Sequence, residues 1–271
     1  MSSTDNPYRP PGATVADLPP PAGDTPFAVP GVQVEAGRGA SWISEGWALF
    51  KAAPLMWIVA LLIFFGIQAL LGVIPLLGNI LSVLAGPFFM AGLLAFSHGI
   101  ARGEEADLGL LFIGLKQKTG PLLTVAALYF LVVVGLVVLF LAGVFVMLGG
   151  AALTLAGSPE AMMESLLAGA GILTFLVLFL GLVALLMLAA AAYWFAPGLV
   201  LYTDLSATAA MKESFRVCFS NWLPFLVFGV LGLLVSLGGM LLLVIGFFLL
   251  SLPVLMASYY ASFRDIFGRQ A

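Results

Sequence analysis

Apolar residues dominate the chain from Ala52 to Phe263, and charges divide that region into a few long stretches. Fifty residues separate Lys51 from Arg102, 41 separate Lys118 from Glu160, 39 separate Glu164 from Asp204, and 47 separate Arg216 from Arg264. None of these stretches contains Asp, Glu, Lys or Arg. A helix needs about 20 apolar residues to cross a hydrocarbon core of about 30 Å. The first and last stretches therefore hold two crossings each, and the middle two hold one each. Ile74-Pro75-Leu76-Leu77-Gly78-Asn79 supplies the first reversal, and Gly238-Gly239 or Gly246 the last. The pattern predicts an all-α polytopic membrane protein with six transmembrane helices, at about 54–74, 79–101, 121–149, 170–199, 222–241 and 244–263. Barrel strands would alternate apolar and polar residues over about ten positions, and these segments do not.

Three shorter stretches carry helical amphipathic patterns: Ile43, Trp47 and Phe50 in 41–53; Leu108, Leu111, Phe112 and Leu115 in 107–119; Met211, Phe215, Cys218 and Phe219 in 206–220. They are expected to lie in the headgroup plane as cytoplasmic-side interfacial helices. Each leads to a proline at or near the start of a span, Pro54, Pro121 or Pro224, where a missing N–H costs little. The returning helices carry Pro87, Pro197 and Pro253. The chain thus reads as three copies of one unit: interfacial helix, helix out, helix back. Ala91, Ala95, Gly99 and Gly103 repeat every four residues on the second span, as do Ala257 and Ala261 on the sixth. Such spacing allows close helix contact in lipid, here expected within the chain.

Composition agrees: 62% of residues are apolar and 8% charged, against about 25% charged in soluble domains. The net charge is −3, with no basic face for nucleic acid. All ten Lys and Arg fall before odd spans or after even ones: Arg9, Arg38, Lys51, Arg102, Lys116, Lys118, Lys212, Arg216, Arg264 and Arg269. The connections on the other side hold only Glu160 and Glu164. Basic segments stay cytoplasmic, so both termini are expected in the cytoplasm and the chain in a bacterial inner membrane. Trp57, Trp222, Tyr259 and Tyr260 are expected as aromatic anchors at that interface. Residues 1–40 hold eight of the sixteen prolines and no apolar core of a signal peptide. They read as a disordered cytoplasmic tail preceding a membrane domain at 41–271, either simply solvated or docking a cytoplasmic protein partner.

Candidate chemistry is sparse. No ionisable Asp, Glu, Lys or Arg falls inside a span, whereas proton or ion coupling usually needs one. His98, the single histidine, reads as an interfacial residue or as one member of a relay. Glu104, Glu105 and Asp107 read as a solvated loop or a cation site. Cys218 reads as a small apolar residue or a lipidation target. Gln68, Asn79, Ser82, Thr124, Tyr129, Thr174 and Ser251 read as helix-to-helix or backbone hydrogen-bonding groups, or as a pore lining. No catalytic, cofactor or metal motif is present, and the chain is expected not to be an enzyme.

Several motifs carry a resemblance. Asn6-Pro7-Tyr8-Arg9-Pro10-Pro11, Gly46-Trp47-Ala48-Leu49-Phe50-Lys51, Pro54-Leu55-Met56-Trp57-Ile58 and Gly86-Pro87-Phe88-Phe89-Met90-Ala91-Gly92 stand in the first third. Ser214-Phe215, Asn221 and Tyr260-Ala261-Ser262-Phe263-Arg264-Asp265-Ile266-Phe267-Gly268 stand near the end. Together they resemble an uncharacterised six-helix proteobacterial inner-membrane protein family, and more distantly the membrane domain of glycerophosphodiester phosphodiesterases. The soluble catalytic domain of those enzymes has no counterpart in these residues, so the resemblance implies fold and location without an activity. Three functions follow as expectations: first a non-catalytic scaffold or partner-binding module, second a channel or carrier for a neutral or lipidic solute, and third a lipid-modifying enzyme built on His98, Glu104 and Asp107. The threading is testable. In a Cys218→Ser background, a cysteine placed beside Glu160 is expected to react with a membrane-impermeant maleimide added outside the cell. One placed at Lys116 is expected to stay unlabelled, and the opposite pattern would invert the topology.

Overall fold

The computed structural model describes residues 27–75, 77–154, 160, 163, 170–241 and 243–268. The helices are α1 (Arg38–Ala52), α2 (Pro54–Gly72), α3 (Leu77–Ala101), α4 (Ile113–Gln117), α5 (Thr119–Thr154), α6 (Ala170–Trp194), α7 (Ala196–Tyr202), α8 (Ala207–Ser220), α9 (Trp222–Leu241), α10 (Leu243–Gly246) and α11 (Leu252–Phe267). A 3-10 helix, Leu108–Phe112, precedes α4, and a π-helical turn, Phe247–Ser251, links α10 to α11. Among the described residues, six helical segments are long and apolar enough to cross a membrane: Pro54–Gly72, Leu77–Ala101, Thr119–Leu148, Gly171–Tyr202, Trp222–Leu241 and Val244–Phe267. The all-α, six-span expectation stands, with ends shifted by a few residues. The first reversal falls between Gly72 and Leu77, around Pro75. Glu164 and most of the connection near it lie outside the described residues.

The core sits toward the end where the charged connections gather. Trp42, Trp57, Phe96, Phe195, Tyr260, Phe263 and Phe267 are fully buried there. The far halves of α5 and α6 pair mainly with each other, through Phe140 against Phe175 and Gly143 against Leu178. The small-residue rows do face inward: Ala91, Ala257, Ser258, Ala261 and Ser262 are buried. Gly46 of α1 lies directly against the backbone of α11 at Val254 and Ser258, leaving no room for a side chain.

Prolines shape the returning spans. Pro197 cannot donate to Tyr193, and the helix breaks at Phe195 between α6 and α7. Ser214 of α8 fills that break. Its hydroxyl accepts the Phe195 N–H at 2.9 Å and donates to the Ala191 carbonyl at 2.7 Å, replacing the missing i→i−4 bond. Pro253 lacks the N–H that would return to Leu249, and the wider π-helical turn lies just before it. Ser251 in that turn donates to Val235 of α9 at 2.8 Å, tying the fifth span to the sixth.

Two sets of residues sit elsewhere than expected. Trp57, Tyr259 and Tyr260 are core residues, at most 3% exposed, and only Trp222 of that group is open to the surroundings. The hydroxyl of Tyr259 donates to the Trp194 carbonyl and the indole of Trp57 to the Leu49 carbonyl, so these polar edges are satisfied within the protein. The apolar faces of the short helices also differ. In α8 the bundle covers Ala207, Ala210, Ser214 and Val217, while Phe215 and Phe219 point outward. In α1 it covers Trp42, Gly46, Leu49 and Phe50. In α8 close approach favours small residues, and the larger Phe215 and Phe219 are left to face the surroundings. Removing the Ser214 hydroxyl orphans a buried donor and a buried acceptor. Ser214→Ala is therefore expected to destabilise the protein by about 1–3 kcal/mol, read as a lower melting temperature in detergent.

Candidate functional site

The charged end is closed by a strap, residues 27–35, that sequence reading had assigned to a free tail. Ala28 donates its N–H to the Phe267 carbonyl at 2.7 Å and Val32 to the Ile266 carbonyl at 2.9 Å. Asn221, between α8 and α9, grips the strap from the other side. Its Oδ1 accepts the Val34 N–H at 2.8 Å, and its Nδ2 donates to the Val32 and Val217 carbonyls. Gly31 passes so close to the Phe267 ring that a Cβ would lie 2.6 Å from it, which excludes any side chain. Phe27 is 2% exposed, packed among His98, Tyr202 and Phe263 with ring centroids 4.7–5.4 Å apart. Strap order from Phe27 onward thus rests on backbone bonds to α11, the buried amide of Asn221, the buried ring of Phe27 and side-chain bonds to Gly31. The tail residues before Phe27 lie outside the described residues.

Beneath the strap four charges alternate. Arg38 donates from Nε and Nη2 to Asp265 at 2.7 and 2.9 Å, and from Nη2 to Glu45 at 2.9 Å. Arg264 meets the other Glu45 oxygen at 2.7 Å. The Trp42 indole also donates to Asp265, at 2.8 Å. The hydrogen bond to Asp265 holds the Arg38 pKa above its usual value. Bidentate geometry and partial burial make this network worth more than separate surface pairs. It locks α1 to α11. Nearby, Glu213 accepts the Gly31 N–H at 2.8 Å and pairs with Arg216, whose Nη2 also donates to the Gly31 carbonyl.

The residues weighed for chemistry each have a separate partner, although the Glu104 carboxylate lies near Gly99, next to His98 in the chain. His98 Nδ1 lies 2.9 Å from the Tyr260 hydroxyl, inside the aromatic cluster under Phe27. Glu104 pairs with Arg102 at 2.9 Å, with both side chains more than half exposed. The Asp107 carboxylate caps its own turn through the Gly109 N–H at 2.7 Å. Among the described residues no three His, Cys, Asp or Glu side chains could hold one metal ion. Burial pushes the Cys218 thiol up to about 12, far from the thiolate range. The Thr124 hydroxyl returns to the Gly120 carbonyl, and Tyr129 stacks on Tyr193 at 4.4 Å. The strap and its clamp were missed as a functional arrangement, although Ser214, Asn221 and Asp265 stood among the motif residues.

Among the described residues, apolar hollows flank the bundle, three of them larger than about 200 Å³. One of about 360 Å³ lies between α2, α3 and the 3-10 turn. One of about 550 Å³ lies between α6, the end of α8 and α9, and one of about 290 Å³ adjoins it along α9. They are lined almost wholly by aliphatic and aromatic side chains.

Fold and site together define a polytopic helical membrane protein whose ordered polar chemistry is concentrated at one end. The chain is similar to a probable inner membrane protein of Burkholderia thailandensis, 26% identical over 261 residues, covering 88% of this chain and 94% of that protein. No protein-family model and no solved structure matches it. The six apolar helices and this similarity together support a multi-pass inner-membrane protein.

The Glu213 contact gives a pH prediction. The hydrogen bond from Arg216, helped by the Gly31 N–H, holds its carboxyl below the ordinary value of 4.5. Stability from this contact is therefore complete above that value and is lost as pH falls through the lower, folded-state value. Glu213→Gln is expected to melt earlier than the parent protein at pH 7. That gap should shrink as the pH is taken below about 4.

Proposed function

We propose that this chain is a non-catalytic inner-membrane docking module, with its working face at the charged end and that face in the cytoplasm. The observation that carries the reading is the strap. Its burial at Phe27, with the bond from Ala28 to Phe267, gives the preceding 26 residues a defined point of departure. A Pro-rich segment tied to a rigid platform suits recognition of an extended peptide by a protein partner. The platform is built for rigidity: a four-charge network, an amide clip and a filled aromatic core. The outward-facing Phe215 and Phe219 of α8, beside Lys212 and Arg216, suit a helix lying in the headgroup layer, as do Trp47 and Lys51 of α1. Among the described residues, the connections that carry Lys and Arg gather at this end, which favours the cytoplasm for it.

The second reading, a channel or carrier for a neutral or lipidic solute, draws on the lateral hollows. Their apolar linings favour hydrocarbon over a water-soluble cargo. The separate engagement of His98 with Tyr260, Glu104 with Arg102 and Asp107 with its own turn weighs against the lipid-modifying enzyme.

A photo-crosslinking residue placed at Tyr8 or Val15 of the full chain, in its native membrane, tests the docking reading. A discrete protein adduct is expected from these positions, and none from a control position on the lipid-facing side of α5 such as Leu139. Absence of any adduct from the tail positions would remove the basis for the docking role.

A further inference from the structure

The hollow between α6 and α9 has a shape and chemistry of its own. Met187, Leu188 and Ala191 form one wall, Phe225 and Phe228 the other, and Cys218 and Phe219 of α8 close its charged end. It adjoins the second hollow, with which it shares Trp194, Phe228 and Gly229. That one continues along α9 past Gly232 to Ser236. From Trp222 to Ser236 α9 rises by about 21 Å, more than one leaflet's share, about 15 Å, of a hydrocarbon core. The cleft can therefore take an extended acyl chain along its length. Gly229 leaves it open, since a Cβ there would meet nothing within 4 Å.

Two polar features select the occupant. The Trp194 indole N–H is buried and, among the described residues, has no hydrogen-bond acceptor. Inside a bilayer no water relieves such a donor, and its isolation is costly. Trp194 packs on Phe225, one helical turn in from the start of α9, and lines both hollows. The nitrogen is covered by protein, so the bond to an ester forms after a small rotation of the indole. The second feature is Lys212. It is exposed on α8 seven residues before Phe219, hence on the same helical face. Among the described residues it forms no ion pair, while its neighbour Arg216 is committed to Glu213 and Gly31. Two helical turns along α8 from the residue that closes the cleft, an unpaired cation complements the phosphate of a lipid whose chain enters there. The hollow beside α2 lacks this match, because its buried Gln68 Oε1 is an acceptor that an ester carbonyl cannot serve.

We propose that the cleft between α6 and α9 binds one anionic diacyl phospholipid, with an acyl chain along α9 past Gly229, an ester carbonyl on Trp194 and the phosphate on Lys212. This stands independently of the docking role, since it involves neither the strap nor the tail.

The test uses the full chain purified in a non-ionic detergent and titrated with phosphatidylglycerol or phosphatidylcholine, with bound lipid counted by native mass spectrometry. One phosphatidylglycerol is expected to be retained about tenfold more tightly than phosphatidylcholine. Lys212→Gln should bring the two to within about twofold. Gly229→Leu, which fills the cleft where there is room for it, should weaken retention at least tenfold while leaving the lipid-free melting temperature unchanged or higher. An ether-linked phosphatidylglycerol should bind the parent protein more weakly than the ester, and Trp194→Phe should erase that difference. Retention by Gly229→Leu equal to the parent would overturn the site. Equal binding of both headgroups by the parent would overturn the role of Lys212. Dimers that cross-link through cysteines at Leu188 and exclude the lipid would show the cleft to be a protein interface instead.

Discussion

A hydrocarbon core offers no hydrogen-bonding partner to a polypeptide, and the architecture follows from that. Every backbone N–H and C=O within the spans must find its partner inside the protein, so the spans are helices and their interruptions are repaired locally. The repair at Pro197 shows the constraint at work. A proline removes one bond of the ladder, and the Ser214 hydroxyl from another helix restores continuity by bridging Phe195 to Ala191. The same rule accounts for Ser251 reaching Val235, and for Ser97 and Ser258 returning to carbonyls four residues back. Ser214 and Ser251 join one helix to another, while Ser97 and Ser258 satisfy their hydroxyls on their own helices.

Charge obeys the same constraint on a larger scale. Charged side chains are kept to the ends of the spans, and at one end they are put to use. Arg264, Glu45, Arg38 and Asp265 alternate there and join the first helix to the last across more than 200 residues of sequence. The strap is tied to the end of α11 at Ile266 and Phe267 and clipped by Asn221. The result is a rigid, satisfied platform at the charged end, while toward the far end α5 and α6 find much of their contact with each other and with the surroundings. Lateral apolar hollows arise where helices diverge from that platform. Their one unsatisfied donor, at Trp194, stands out because almost every other buried polar group of the described residues has a partner.

The periodicities made the number, order and approximate ends of the spans legible, because the length of an apolar run is set by bilayer thickness and depends on no tertiary contact. They also made the inward-facing rows of Ala, Gly and Ser legible, because close approach in lipid selects small side chains. The aromatic anchors were misread for a physical reason. Tyr259 and Tyr260 sit near the end of a span, where sequence position alone cannot tell a headgroup contact from a buried one, and both face the bundle. The orientation of α8 raises a related ambiguity. An apolar stripe on a helix at a membrane surface can turn toward protein or toward lipid, and the small residues beside it took the protein side.

The sequence by itself determined that this is a six-span helical protein with its cations at one end, since both properties follow from the solvent that surrounds it. Only the tertiary structure decided what those cations do. It brought Arg38 to Asp265, Asn221 to Val32 and Ser214 to Phe195, pairs separated by 19 to 227 residues. Such pairings depend on how the spans cross and where their prolines bend them, and that geometry is not written in any local pattern.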